Sequence, residues 1–351
     1  MKQIEDIVIV GGGPAGSYCA FELAKRGINS TIFDHSYPRE KPCGGGISPP
    51  VLKKFPFLEK LRSSGLTFGN FKIVSATGNE VMTKGLENGF CISRQCLDQG
   101  ILNMAVEKGA VLIREKVLQV QNKGNIWKVS TNKREFSTKL LIGADGVNST
   151  VRRKILNPIS IENRGLTFGY FTTSLKKEIG VIKFLSEIPG YIWVFPGKNY
   201  TNIGIGSEMR NGKVLKMLLD AFMNFHYPDL KIISKYGAMI PSVSYPEFFN
   251  LPCAGETWIL IGDAAGHVDP ISGGGIIYAL WGGMIAAEAI MRGDPESYDI
   301  MWRNEYGKTL EERCKNKTAF YDPVASTLGI LIGLVNGSYF GLLNEQHHSK
   351  Q

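Results

Sequence analysis

The run Gly11-Gly12-Gly13-Pro14-Ala15-Gly16 constrains the fold of this chain more than any other feature. It follows a short apolar stretch from Glu5 to Val10 and opens a segment, Pro14 to Arg26, with helical patterning. A second apolar stretch, Ser30 to Phe33, completes a strand-turn-helix-strand unit. In such a unit Gly11 permits the tight turn and Gly13 lets the backbone approach a pyrophosphate. Gly16 allows close helix packing, and the helix N-terminus faces the phosphates. Asp34 ends the second strand, 18 residues past Gly16, where a carboxylate accepts hydrogen bonds from an adenosine ribose. The opening predicts a doubly wound dinucleotide-binding domain without choosing between NAD and FAD.

Beyond this unit, Pro38 to Ser48 is rich in Gly and Pro and reads as a loop laid over a ligand. Arg94 to Lys108 is helical in pattern, Val111 to Val129 holds short strands, and Leu140 to Ala144 reads as a buried strand. Several β-like runs follow from about Asn163 to Gly206, then a helix from about Gly212 to Phe225. The strand Thr257 to Ile261 returns to the first domain, and helix prevails from near Gly274 onward. The expected class is α/β, α+β overall: a discontinuous doubly wound domain, an inserted antiparallel-sheet substrate domain and a helical C-terminal tail.

Composition excludes several classes. At 351 residues with 43% apolar and 21% charged content, the chain is long enough for a large core and one or two domains. The net charge of +8 suits an acidic partner such as an anionic membrane, a phosphorylated substrate or an acidic electron donor. There is no run of like charge to mark a nucleic-acid surface. The six cysteines (Cys19, Cys43, Cys91, Cys96, Cys253, Cys314) form no CxxC pair, which argues against a zinc ribbon or an iron–sulfur cluster; no metal is expected. Free cysteines in apolar runs suit a reducing, intracellular compartment. A strand starting by about Ile4 leaves no room for a secretory signal.

Three further signatures select the cofactor. Leu140-Leu141-Ile142-Gly143-Ala144-Asp145-Gly146-Val147-Asn148-Ser149, with Arg152 behind it, resembles the Asp-Gly motif of hydroxylase-type flavoproteins. Ile259-Leu260-Ile261-Gly262-Asp263-Ala264-Ala265-Gly266, followed by Pro270 and Gly273-Gly274-Gly275-Ile276, resembles their Gly-Asp motif. Arg94-Gln95-Cys96-Leu97-Asp98 resembles their Arg-x-x-Leu-Asp helix start. The resemblance implies FAD on the p-hydroxybenzoate hydroxylase fold, with Asp263 holding the ribityl chain. It also implies that the helix beginning at the glycine cluster points its positive end at the flavin pyrimidine edge. A helix N-terminus stabilises an anion there by about 0.3–2 kcal/mol, favouring reduced flavin. The cofactor set expected is Gly11, Gly13, Pro14, Ala15, Gly16, Asp34, Gly44, Gly45, Arg94, Val117, Asp145, Gly146, Gly262, Asp263, Gly274, Gly275 and Ile276.

Two segments narrow the resemblance. Pro189-Gly190-Tyr191-Ile192-Trp193-Val194-Phe195-Pro196, leading to Gly204-Ile205-Gly206, is similar to the Tyr-x-Trp-x-Phe-Pro signature of geranylgeranyl reductases, including digeranylgeranylglycerophospholipid reductases. Period-two spacing puts Tyr191, Trp193 and Phe195 on one strand face, an aromatic wall able to line an apolar tunnel or to be a core face. Lys41-Pro42-Cys43-Gly44-Gly45-Gly46-Ile47-Ser48 resembles that family's Cys-Gly-Gly loop, whose glycines would lie against the isoalloxazine with Cys43 near the reacting centre.

The resemblance implies an FAD-dependent reductase of isoprenoid C=C bonds, acting on a prenyl lipid or prenyl diphosphate by hydride transfer. Cys43, Tyr191, Trp193 and Phe195 would line the substrate site, and Cys43, Tyr191 and His267 are the candidate proton donors. Two other readings stay open: a flavin-dependent hydroxylase or halogenase of the same fold, and an electron carrier to quinones. A second GxGxxG is absent, so the reductant is either NAD(P)H bound without its own domain or a ferredoxin. The implied location is the cytoplasm, with peripheral contact on the inner membrane face as the second placement. Expected boundaries are 1–65, 90–157 and 253–295 for the FAD domain, 66–89 and 158–252 for the substrate domain, and 296–351 for the helical tail. In that tail Gly329, Gly333, Gly337 and Gly341 form a stripe at four-residue spacing, suited first to a helix flanking the substrate tunnel and second to an interfacial membrane contact.

Overall fold

Short β-branched runs that are apolar on both faces need cover on both sides, and here they form the centre of a parallel sheet. Val8, Ile9, Ile32, Leu141, Ile142, Ile259 and Leu260 are all fully buried there. Their strands run in the order Val111–Ile113, Thr31–Phe33, Ile4–Val10, Glu135–Gly143 and Trp258–Leu260, every neighbouring pair parallel. Ala254–Gly255 adds an antiparallel edge, and the hairpin Val117–Lys123 with Ile126–Thr131 pairs antiparallel onto the Glu135 strand. The computed structural model describes residues 4–82, 88–175, 179–324 and 327. This sheet belongs to the first of two units, composed of Met1–Arg39, Leu97–Arg164 and Ile240–Lys315.

Two helices of this unit touch backbone to backbone. The helix Ile276–Met291 is apolar around most of its circumference, with Ala279, Leu280, Gly283, Ala286 and Ala287 all buried. It lies against the helix Pro14–Ala24 at Gly283, where an added Cβ would fall 2.5 Å from the Ala15 carbonyl oxygen and 3.1 Å from the Cys19 nitrogen. No residue larger than glycine fits that crossing without moving a helix.

The second unit comprises Glu40–Cys96, Gly165–Met239 and Asn316–Gln351. Its seven-stranded sheet runs Ile232–Pro241, Arg164–Thr172, Thr201–Glu208, Gly190–Pro196, Ile179–Phe184, Asn70–Val74 and Glu80–Met82. The pairs from Arg164–Thr172 to Ile179–Phe184 are antiparallel, as expected, but Ile179–Phe184 meets Asn70–Val74 in parallel. That parallel pair joins the inserted antiparallel strands to an earlier segment of the chain. One face buries Ile192, Val194, Ile203 and Ile205 under Leu215, Leu219, Phe222 and Met223 of the helix Gly212–His226. A smaller sheet pairs Phe90–Cys91 with both Gly46–Ile47 and Leu66–Thr67.

The units divide differently from the sequence expectation. Residues 40–65 and 90–96 lie with the second sheet rather than the first, and 158–164, 240–252 and 296–315 lie with the first. The glycine stripe from Gly329 to Gly341 lies outside the described residues. The Gly283 crossing gives a direct test. Gly283→Ala is expected to destabilise the protein by about 1–3 kcal/mol, the usual range for overpacking, as measured by urea unfolding.

Candidate active site

The turn between the first strand and helix is built from backbone approaches that only glycine allows. Gly11 has φ +108°, and a Cβ there would fall 2.3 Å from the Ala144 carbonyl oxygen. A Cβ on Gly16 would fall 2.1 Å from the Gly11 oxygen. Gly13 is different: nothing stands within 4 Å of its Cβ position. It is the N-cap of Pro14–Ala24, makes no side-chain cap bond, and the first turn holds no acid. The first N–H groups of a helix have no partner inside it, so this end presents donors and positive potential to open space. That is the arrangement a pyrophosphate requires.

Asp34 stands beside this turn and is buried. Its Oδ2 accepts the Gly12 N–H at 2.9 Å, and its Oδ1 accepts the Ser36 N–H at 2.9 Å and hydroxyl at 2.8 Å. Burial pulls the carboxyl upward, but the bonds from Ser36 and Gly12 and the Arg39 guanidinium at 4.0 Å outweigh it and hold it below its ordinary value. The group is an ionised acceptor of fixed orientation, suited to ribose hydroxyls.

The Gly-Asp motif forms a second helix N-terminus in the same unit. Gly262 has φ +59° and sits against Ala15, where its Cβ would meet the Ala15 Cβ at 2.9 Å. Gly275 caps Ile276–Met291 with no side-chain bond, and its Cβ position lies 3.4 Å from Asp263 Oδ1. Gly274 donates to Ser272 Oγ at 3.2 Å, and Asp269 Oδ1 accepts from the Ile271 and Ser272 N–H groups, each at 2.9 Å. Asp263 therefore lies beside an uncapped helix end.

The Asp-Gly motif forms a hydrogen-bonded turn. Asp145 accepts from the Ser149 hydroxyl and from the Thr150 N–H at 2.6 Å, and Ser149 Oγ accepts from the Arg152 N–H at 2.8 Å. Gly146, with φ +82°, makes the turn. Burial raises the Asp145 carboxyl while these hydrogen bonds work against the rise. Arg152 is buried, stacks on Phe248 at 5.1 Å and donates to the Ala264 carbonyl at 3.2 Å, tying this helix to the Gly-Asp turn. Val117 packs in the first unit's core.

The second unit carries the remaining residues. Tyr191, Trp193 and Phe195 share one face of Gly190–Pro196, opposite the Ile192 and Val194 face that meets the helix. Tyr191 and Phe195 pack with Phe71, Phe184 and Ile182. The Cys-Gly-Gly loop lies against this face, because a Cβ on Gly44 would fall 2.3 Å from the Phe195 ring. Gly45, with φ +69°, donates to Cys43 Sγ at 3.4 Å, and its Cβ position lies 2.0 Å from the Ile92 oxygen. Cys43 itself is half-buried. Arg94 is buried, and its N–H donates to Glu40 at 2.7 Å, so Glu40 caps that helix.

Known proteins match this arrangement. The model of the FAD binding domain family matches residues 5–190. The chain is 30% identical to the geranylgeranyl diphosphate reductase of Rhodobacter capsulatus, over 82% of its own length and 75% of the relative's. It is also 30% identical to the digeranylgeranylglycerophospholipid reductase of Methanosarcina acetivorans, over 91% of this chain and 86% of that one. This chain belongs to the geranylgeranyl reductase family of FAD-binding proteins. A geranylgeranyl bacteriochlorophyll reductase-like protein of Thermoplasma acidophilum has the same fold, with TM-score 0.79 and 24% identity over 95% of this chain and 91% of that one. As a member of this family the chain is an FAD-dependent oxidoreductase. FAD is its cofactor, and the open helix end at Gly13 with the fixed Asp34 carboxylate fits the phosphates and ribose of that cofactor.

His267 departs from the role expected of it. It is 1% exposed, with Nδ1 3.0 Å from the Tyr306 hydroxyl, Nε2 3.7 Å from Cys253 Sγ, and its ring centre 4.2 Å from that of Trp302. Burial, with the Arg303 and Arg152 charges, pushes its pKa down to about 3, so the ring is neutral near pH 7 and packs as a core hydrogen-bonding group. Sequence reasoning also passed over Gly283, whose signal was a Gly-Gly pair inside an apolar helix, and Asn202 and Tyr236, for which no motif existed.

The buried imidazole makes stability depend on pH. The unfolded chain takes up a proton on His267 near pH 6.5 and the folded chain near 3, so the unfolded state binds more protons between them. Stability is therefore expected to fall as pH drops below 6.5, and His267→Gln should flatten this slope of Tm against pH while lowering Tm at neutral pH.

Proposed function

We propose that this protein saturates C=C bonds of geranylgeranyl-type isoprenoid chains carried on a prenyl lipid or prenyl diphosphate. The observation that supports this reading best is the aromatic face of the second unit, where Tyr191, Trp193, Phe195, Phe71 and Phe184 gather beside the Cys-Gly-Gly loop. Each CH₂ of a prenyl chain buried on such a face adds about 0.8 kcal/mol of binding. The names of the relatives, a geranylgeranyl diphosphate reductase and a digeranylgeranylglycerophospholipid reductase, support the same substrate class.

Bound FAD, once reduced, supplies the hydride. The chain's residues exclude water from the alkene, hold it in one orientation and bring the proton to the second carbon. In this reading Tyr191 and Cys43 are the proton-bearing groups of the substrate face, and Trp193 and Phe195 are its walls. The Asp263 carboxylate would hold the ribityl chain, and the helix end at Gly275 and Ile276 would stabilise negative charge on the reduced flavin. The reductant is NAD(P)H or a ferredoxin. No described helix is long and apolar enough to cross a membrane; the net charge of +8 supports a peripheral contact with anionic lipid.

The deciding experiment is anaerobic. Chemically reduced holoprotein mixed with a geranylgeranyl lipid is expected to reoxidise its flavin while the lipid gains the mass of two hydrogens per bond reduced. Reoxidation by oxygen alone, with an oxygenated or halogenated product, would replace this reading by a hydroxylase or halogenase. Cys43→Ala should lower kcat by about 10²-fold or more with flavin content unchanged, the usual scale for losing a positioned proton donor. Trp193→Phe should raise KM for long prenyl substrates several-fold, with flavin still bound.

A further inference from the structure

The aromatic face of the second unit contains one fully buried amide. Asn202 lies on Thr201–Glu208, directly opposite Phe195 on one side and Phe171 on the other. Directly opposed residues of an antiparallel pair project to the same face. Asn202 therefore points to the side that carries Tyr191, Trp193 and Phe195.

Two glycines make room for its partners. Gly204 is opposite Trp193, and a Cβ there would fall 2.2 Å from the indole ring; one on Gly169 would fall 2.4 Å from the Tyr236 hydroxyl. The Trp193 indole N–H donates to Asn202 Oδ1 at 2.6 Å, and the Tyr236 hydroxyl donates to the same oxygen at 2.7 Å. An indole nitrogen can only donate, so the amide orientation is fixed by chemistry: the oxygen faces Trp193 and the NH₂ faces away. Among the described residues that NH₂ has no hydrogen-bond partner.

A buried donor left unpaired is costly, and natural proteins pair nearly all of them. The residues opposite it across the sheet are both rings: Phe195, beneath the Gly44 loop, and Phe171, whose ring lies 5.2 Å and 5.3 Å from the Tyr236 and Tyr200 rings. The amide thus provides an unpaired donor within an apolar face, beside the loop that carries Cys43.

We infer that Asn202 is a specificity-determining residue whose NH₂ donates to the oxygen that joins a prenyl chain to its head group, while its Oδ1 positions Trp193 and Tyr236. This deepens the substrate reading above and rests on it for the identity of the chain. Asn202 acts by binding and orienting: the aromatic walls take the hydrocarbon, and the amide fixes where along the chain the head begins. Prenyl alcohols, ethers and diphosphates all carry that oxygen, whereas a hydrocarbon of equal length does not.

The test compares two ligands on full-length, FAD-loaded protein by calorimetry: geranylgeraniol, and the same chain ending in a methyl group. Wild type is expected to prefer the alcohol by about tenfold, and Asn202→Leu to abolish that preference. Trp193→Phe, which keeps the NH₂, should weaken both ligands and leave their ratio intact. Asn202→Ser, smaller and polar, covers the case in which the leucine variant loses its flavin or fails to fold. No preference in wild type, or a ratio unchanged in the Asn202 variants, overturns the inference and leaves the amide a structural tie with an ordered water. If wild type binds neither prenyl ligand, the substrate reading fails; hexadecanol against hexadecane then decides the amide separately. A preference for that alcohol, lost in the Asn202 variants, sustains the donor site, and its absence overturns it.

Discussion

The backbone contact between the helices Pro14–Ala24 and Ile276–Met291 is what the first unit's geometry depends on. At Gly283 the second helix approaches the first to a distance that leaves no space for a methyl group. Gly262 makes a similar approach to Ala15 from the turn that precedes the second helix. These contacts join chain segments more than 240 positions apart, and both helices have a glycine at the N-cap that supplies no capping side chain. A helix start without a capping side chain is unfavourable for a chain alone. It becomes an asset when the ligand carries negative charge, as a pyrophosphate and a reduced flavin ring both do.

The second unit solves a different problem. Its sheet is covered by a helix on one face, where Ile192, Val194, Ile203 and Ile205 interlock with Leu215 and Leu219. The other face alternates rings with glycines: Trp193 over Gly204, the Tyr236 hydroxyl over Gly169, and Phe195 under Gly44. Glycine in a strand weakens it, since it adds no packing and costs conformational entropy. Here that cost yields room for large planar side chains lying flat against the backbone, and for a buried amide between two of them. The surface is apolar in area yet contains an oriented donor, a combination suited to a ligand that is mostly hydrocarbon with one polar junction.

Much of this was legible in the residues themselves. The GxGxxG turn, Asp34, and the common face of Tyr191, Trp193 and Phe195 all follow from local spacing, and the structure places them as that spacing requires. Local patterns were less able to say what a polar side chain does once surrounded. Asp145 is marked by its motif, and only the folded turn shows that its oxygens accept from Ser149 and Thr150. His267 looked titratable, but Tyr306 and Trp302, about 40 residues later in the chain, close over it and hold it neutral. Unit membership likewise depends on distant pairing: residues 40–65 follow the nucleotide motif in sequence, yet Gly46–Ile47 pairs with Phe90–Cys91 and lies in the second unit.

By itself the sequence determined which segments form strands and helices, which residues face together along each strand, and where the backbone must be bare of side chains to approach a phosphate. Those properties depend on steric and periodic rules that act over a few residues. Only the tertiary structure decided which polar groups are consumed internally and which remain available. Asp145 and His267 are spoken for, Asp34 is oriented by Gly12 and Ser36, and the Asn202 amide has one side occupied and one side unpaired. Hydrogen-bond satisfaction and desolvation are set by neighbours distant in sequence, so they exist only once the chain has folded.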